Sequence, residues 1–297
     1  MTDVSYVITV YNKAWALPRV WDSLRAQAGD FTREFVFVDD ASTDESLNIL
    51  RSIAARDDRV VVVQNDVNAG PAIRLNQGVR AATGHWLHLL DGDDTLPPNA
   101  TQWMIAALQD RNAPLIYGCR GPESVAPIPA EAQAQLIAEP LGFAAAKPIT
   151  QFALMVARDV FIEAGGSDER IFLKDQSLPL RLCKHIETML WTDTALSFEC
   201  EDERKNAEKS VDQQNHDRFF AAFNVLNTLD KDHEYSSSLR QLCASARWKY
   251  VRDSKSLPWL SKDLLVYLLS QMGVFLGDQA LLDTAARFRK IDGIRRP

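Results

Sequence analysis

The sequence has 297 residues, 46% of them hydrophobic and 25% charged, with a formal net charge of −7. That length allows one large α/β domain with an appendage or two modest domains, and the acidic balance argues against broad nucleic-acid binding, which needs a basic surface. No run approaches the roughly 20 apolar residues that span a bilayer, no basic segment precedes an apolar core at the N-terminus, and Cys119, Cys183, Cys200 and Cys243 form no Cys-x-x-Cys pair, so a cytoplasmic protein with reduced thiols is expected.

The first third alternates strand and helix signals. Ser5–Val10 is rich in Tyr, Val, Ile and Thr and predicts a strand, and Leu17, Val20, Trp21 and Leu24 predict a helix within Ala14–Gln27. Glu34–Val38 predicts a second strand. Ser42 stands three residues before Glu45, a capping-box spacing that would open a helix carrying Leu47, Ile49, Leu50 and Ile53. Val60–Val63, Pro71–Ala82 and Trp86–Leu90 predict strand, helix and strand. This order implies a mostly parallel sheet with helices on both faces.

Ala100–Asp110 predicts a helix and Pro114–Tyr117 a strand. Gly118–Pro148 has no clear period in its first half and reads as an excursion, with a short helix near Glu131–Ile137. Thr150–Val156 predicts a strand, and Arg158–Ala164 a helix that stops at Gly165–Gly166. From about Asp212 the pattern is helical, in Arg218–Leu229, Ser237–Tyr250, Lys262–Leu269 and Gln279–Lys290. The boundaries drawn from this are a catalytic region over 1–211 and a helical region over 212–297, the latter suited to acceptor, membrane or oligomer contacts.

Right-handed crossovers place the carboxyl ends of parallel strands on one edge, where open α/β sheets bind ligands. Three polar clusters follow the predicted strands: Thr9 with Tyr11 and Asn12, Asp39 with Asp40, and Asp91-Gly92-Asp93-Asp94. The last offers hard oxygen ligands to Mg²⁺ or Mn²⁺, which take one or two protein carboxylates and complete their shells with water and phosphate. An exposed acidic turn is the bland reading of the same residues. His85 and His88 fall on opposite strand faces and fit core or strand-end positions better than a metal pair. His216 could join a metal site only by a fold-back of the chain, and the mixed charges of Glu199–Lys209 fit a solvated loop. Arg247-Trp248 matches part of a signature of processive polysaccharide synthases, but Gln241 is at the wrong spacing.

Four segments occur in order: Val7-Ile8-Thr9-Val10-Tyr11-Asn12, Val36 to Asp44, Asn68 to Gly78, and Leu89-Leu90-Asp91-Gly92-Asp93-Asp94. Together they resemble the family 2 glycosyltransferases of GT-A fold, densely over residues 4–100 and again across Gly165–Leu182. The resemblance implies an α/β fold with a Rossmann-like sheet, a UDP- or dTDP-sugar donor, Mn²⁺ or Mg²⁺, and inverting, nonprocessive transfer to a glycan or glycolipid acceptor. It implies that Thr9, Tyr11 and Asp39 surround base and ribose, that Arg74 lies near the nucleotide, and that Asp91 holds the ribose or metal shell. Asp93 is implied as the principal metal carboxylate. Asp39 can accept the imide N–H of uracil or thymine, and the forked cation of Arg74 can meet a carboxylate or a phosphate.

By the same resemblance, Gly165-Gly166-Ser167-Asp168-Glu169 and Phe172-Leu173-Lys174-Asp175 match the segment that ends in the catalytic base, which assigns that role to Asp175. Lys174 departs from the acid often found there, and Asp168 and Glu169 are competitors. Such enzymes commonly build bacterial envelope polysaccharide or lipopolysaccharide. The Arg287, Arg289, Lys290, Arg295 and Arg296 cluster suits peripheral contact with an anionic inner membrane face, though a solvated helix end accounts for it as well. Two other readings compete. A degenerate transferase would bind a nucleotide or a partner without catalysis. A sugar nucleotidyltransferase would need a glycine-rich phosphate loop, which the segment around Tyr11–Trp15 lacks.

Overall fold

Val4–Val10 (β1) is buried at every position, as an interior strand covered on both faces must be, and this explains why apolar residues point to both of its faces. Helix α1 (Leu17–Arg25) starts later than its sequence pattern suggests, with Pro18 in its first turn, and buries Leu17, Val20 and Leu24 from one face. Each such side chain contributes about 1.5–3 kcal/mol of transfer free energy. The computed structural model describes residues 2–122, 124, 126–147, 149, 152–200, 211–230, 232–254 and 258–295. The charge run beyond Cys200, the predicted strand start at Thr150 and the terminal Arg296 lie outside the described residues.

The chain continues through β2 (Arg33–Asp39), α2 (Ser46–Ala54), β3 (Val60–Gln64), α3 (Pro71–Ala81) and β4 (Trp86–Asp91). These strands pair in parallel in the order β3-β2-β1-β4. The predicted Ser42 cap does not form. Helix α2 begins at Ser46 with no side-chain cap on Glu45, because Ser42 Oγ instead accepts the Asn12 N–H at 3.0 Å.

Beyond β4 come β5 (Asp94–Thr95), α4 (Ala100–Arg111), β6 (Leu115–Pro122), β7 (Gln135–Ile137), α5 (Pro140–Ala146), β8 (Phe152–Ala157), α6 (Arg158–Glu163), α7 (Lys174–Cys183) and β9 (Met189–Glu199). The sheet runs on as β4-β8-β6-β9-β5, with β7 on β9, giving nine strands among the described residues. In this half β8 is antiparallel to β4 and β6, and β5 and β7 are antiparallel to β9, while β6 and β9 are parallel. The sheet is therefore parallel on one side and mixed on the other. The short helix expected near Glu131–Ile137 is instead strand β7, drawn into extended form by pairing with β9.

Two compact units result. One holds the sheet and comprises Met1–Pro140, Gln151–Gly166 and His185–Lys205. Its core includes Tyr6, stacked on Phe35 with ring centroids 5.1 Å apart. The other comprises Leu141–Thr150, Ser167–Lys184 and Asn206–Pro297. It carries α7, α8 (Val211–Leu226), α9 (Ser236–Ser254), α10 (Lys262–Gln271) and α11 (Asp278–Phe288). In it α8 packs on α7 and α9, Phe219, Phe220 and Phe288 cluster, and buried Arg247 joins Asp263 and Thr284. Arg247 is thus a structural cross-link between helices. No described helix is long and apolar enough to cross a membrane.

Candidate functional site

Because β2, β1 and β4 are adjacent and parallel, their carboxyl ends share an edge, and the register puts Val10 beside Asp39 and Thr9 beside Asp91. Thr9 Oγ1 donates to Asp91 Oδ1 at 3.1 Å. The Gly92 N–H donates to the Thr9 carbonyl at 2.8 Å. A Cβ at Gly92 would stand 3.1 Å from that carbonyl oxygen, a tight contact that glycine avoids. Past the turn, Asp93 is buried, and Lys13 Nζ donates to its Oδ2.

Asp94 turns the other way. It enters β5, accepts the Asp91 N–H at 3.2 Å, and lies 3.3 Å from Arg120 Nη1, whose other arm reaches Glu199 at 3.2 Å. Burial above all, then the nearby Asp91 charge, push its carboxyl up to about 7 against the pull of Arg120. Among the described residues no three His, Cys, Asp or Glu side chains converge as a metal cage. Asp91 and Asp93 are a donor set of the other kind: two hard carboxylates at a strand end, fitting a cation that completes its shell with water and phosphate.

Of the residues expected near a nucleotide, Thr9, Asp39 and Asp91 stand on this edge, and Tyr11 follows the end of β1. Asp39 is 1% exposed, and its Oδ2 accepts the Ser42 N–H at 3.2 Å. Among the described residues its Oδ1 is buried with no hydrogen-bond partner, an arrangement that is costly unless a donor arrives. Tyr11 is 43% exposed and offers a ring face. Two non-glycine residues beside these groups adopt the left-handed region, Asn12 at φ 53° and Ala41 at φ 59°. Asn tolerates it, whereas Ala pays about 1–2 kcal/mol. Asn12 Oδ1 holds the turn by accepting the N–H groups of Thr43 at 2.8 Å and Asp44 at 3.3 Å. Strain held in place this way is characteristic of binding loops.

The forked cation of Arg74 meets a carboxylate, Asp40. The arginine is buried on α3, and its guanidinium donates to Asp40 Oδ1 at 2.6 Å, Asn65 at 2.8 Å, Gln77 at 3.1 Å and the Val67 carbonyl. Asp40 also accepts the N–H groups of Ala69 at 2.8 Å and Gly70 at 2.9 Å. These contacts fasten the loop before α3 to the end of β2. Lys13 is the participant that sequence reasoning passed over, while Asn12 and Asp40 stood in its polar clusters without an assigned role. The Asp39–Asp40 doublet was the signal available for the last.

The segment with the expected base lies in the second unit. Asp175 is half-buried in the first turn of α7, and Lys174 before it is buried. The preceding Leu173 N–H donates to Asp217 Oδ2 at 2.8 Å, and Asp217 Oδ1 also takes His216 Nδ1 at 2.7 Å. His216 is therefore a buried partner of a structural carboxylate, packed on Phe220. Asp168 is occupied. It accepts Arg170 Nε and Nη2, both at 2.8 Å, and Asn224 Nδ2 at 2.8 Å. Burial raises it, but these hydrogen bonds outweigh burial and hold it below the usual carboxylate range. Glu169 is exposed. In the sheet unit, His88 is a core residue: burial pushes it down to about 3, and its Nδ1 lies 3.4 Å from Thr101 Oγ1.

Residues 5–144 match the profile of the family described as Glycosyl transferase family 2. The succinoglycan biosynthesis protein ExoO of Rhizobium meliloti (strain 1021) is 40% identical over 103 residues, covering 35% of this chain and 29% of that protein. The chain spans less than half the length of the curated relatives it matches. Residues 1–349 of S. aureus TarS, in complex with UDP-GlcNAc, superpose with a TM-score of 0.67 at 16% identity, covering 95% of this chain and 83% of that one. A mannosyltransferase from Pyrobaculum calidifontis, in complex with GDP-Man and Mn²⁺, gives 0.60 at 16% identity, covering 97% and 86%. At that identity the likeness is one of fold, the GT-A arrangement of a mixed sheet between helices.

Proposed function

We propose that this chain, whose residues 5–144 match the glycosyl transferase family 2 profile, moves a sugar from a UDP- or dTDP-sugar onto an acceptor hydroxyl, with inversion, in bacterial envelope polysaccharide or lipopolysaccharide synthesis. The observation that carries this is the joining of three strand ends on one edge, with Thr9 bonded to Asp91 and the Asp39 Oδ1 acceptor lacking a donor. A pyrimidine imide N–H is a donor of the required kind. Tyr11 supplies a face for the base, and the Asn12–Asp44 turn keeps the pocket's rim in place.

A divalent cation, Mn²⁺ or Mg²⁺, held by Asp93 and Asp91, would neutralise the charge that gathers on the departing diphosphate. Asp175 is the assigned base. It takes the acceptor hydroxyl proton as that oxygen bonds to the anomeric carbon, while the bond from that carbon to the diphosphate oxygen breaks and the nucleoside diphosphate leaves. Asp168 cannot easily serve, because its oxygens are already engaged by Arg170 and Asn224 and its low proton affinity makes it a poor base. The buried Arg74 acts on the site through Asp40, fixing the loop beside the nucleotide. The lipid-linked or glycan acceptor and peripheral membrane contact belong to the same proposal; Arg287, Arg289 and Lys290 are exposed at the end of α11.

A panel of nucleotide sugars incubated with the purified protein and Mn²⁺ tests this reading. Slow release of UDP or dTDP from one or more donors is expected. Release of pyrophosphate would indicate nucleotidyl transfer, and binding without any release would indicate a nucleotide-binding module.

A further inference from the structure

Resting on the reading above, we propose that Lys13 is a resident counter-cation of Asp93 that restrains divalent-metal binding until a nucleoside diphosphate draws its ammonium away. Three observations place it there. The Lys13 backbone N–H is fixed by Ser46 Oγ at 2.8 Å, so the start of α2 sets where the side chain begins. Its stem lies across the acidic turn, because a Cβ at Gly92 would come within 3.3 Å of Lys13 Cγ. Its ammonium bonds Asp93 Oδ2, and Asp93's side chain is only 5% exposed.

A divalent ion on Asp93 would therefore sit a few ångströms from a unit positive charge. Even in a water-like dielectric that repulsion weakens the ion's affinity about tenfold. A diphosphate changes the balance. Its anionic oxygens are better partners for a flexible ammonium than one carboxylate shared with a metal. The 20% exposure of the lysine side chain leaves it room to swing. Nucleotide and metal then bind with positive coupling, and by linkage each tightens the other by the same factor. The protein would stay largely metal-free until its donor arrives.

The test uses the full chain as wild type, Lys13→Met, Lys13→Gln, Lys13→Arg and Asp93→Asn. Free Mn²⁺ is titrated by electron paramagnetic resonance without nucleotide, and thermal stabilisation by UDP is measured with and without Mn²⁺. The two neutral variants should bind Mn²⁺ about tenfold more tightly than wild type, Lys13→Arg should match wild type, and the Mn²⁺-dependent share of UDP stabilisation should shrink in the neutral variants. Unchanged Mn²⁺ affinity in Lys13→Met and Lys13→Gln would overturn the proposal, as would an equal gain in Lys13→Arg. If instead UDP stabilisation ignores Mn²⁺ in wild type and Asp93→Asn alike, the metal assignment beneath the proposal is what has failed.

Discussion

Arg74 Nε lies 2.6 Å from Asp40 Oδ1, with the two side chains 9% and 5% exposed. A pair so buried is worth little against an apolar substitute but much against the loss of one partner, since the survivor is left charged in a poorly hydrated place. Arg74→Ala should therefore lower stability by about 3–5 kcal/mol in urea unfolding. Arg74→Lys should recover only part of this, because an ammonium cannot reproduce the fork that meets Asp40, Asn65, Gln77 and Val67. A loss within about 0.5 kcal/mol, as for a surface arginine, would show that the loop does not depend on this pair.

The unpartnered Oδ1 of Asp39 leads to a prediction about base choice. UDP should bind more tightly than GDP. Asp39→Ala should weaken UDP by about 10- to 100-fold, the range for a hydrogen bond to a charged acceptor, while GDP changes little. Calorimetry on both nucleotides checks this, and equal wild-type affinities would remove Asp39 from base recognition.

How far the sequence carried the site depended on how local each signal was. The alternation from β1 to β4 and the carboxylates at its strand ends were legible because periodicity and turn composition are short-range. Strand β9 was not, since its 11 residues are organised by partners distant in sequence, β6 on one side and β5 and β7 on the other. The same pairing turned the predicted helix around Glu131–Ile137 into β7. Ser42 read as a cap because a Ser-x-x-Glu spacing is blind to Asn12, which takes the Ser42 hydroxyl instead. Helix α7 was hidden by its internal Pro179. Its grouping with the C-terminal helices rests on contacts such as Leu173 with Asp217, 44 positions apart, that no local window contains.

Asp168 gives a pH dependence. Its folded-state affinity for a proton is lowered below the ordinary value of 3.8 by Arg170 and Asn224. The stabilisation that this reports is complete above the unfolded value and is lost as pH falls through the folded one. Acid titration of unfolding stability should therefore show a descent below pH 3.8 that is shallower in Asp168→Asn. Superimposable acid limbs would mean that the Arg170 and Asn224 contacts do not favour the ionised form.

Asp175→Asn should keep nucleotide and Mn²⁺ binding but lose sugar transfer by about 10²–10⁴-fold in kcat, the usual contribution of a positioned base. Asp168→Asn and Glu169→Gln, measured beside it with an identified acceptor, should retain far more activity. Near wild-type transfer by Asp175→Asn with a dead Glu169→Gln would move the base to Glu169.

On the proposed reading, the edge formed by β2, β1 and β4 binds a pyrimidine nucleotide sugar through a cation on Asp93. The most direct test is nucleotide release from the best UDP- or dTDP-sugar, followed against Mn²⁺ concentration for wild type and Asp93→Asn. Wild type should show Mn²⁺-dependent release and Asp93→Asn none above background, with the variant still unfolding cooperatively in buffer. Equal, equally Mn²⁺-dependent release by both proteins would contradict this reading.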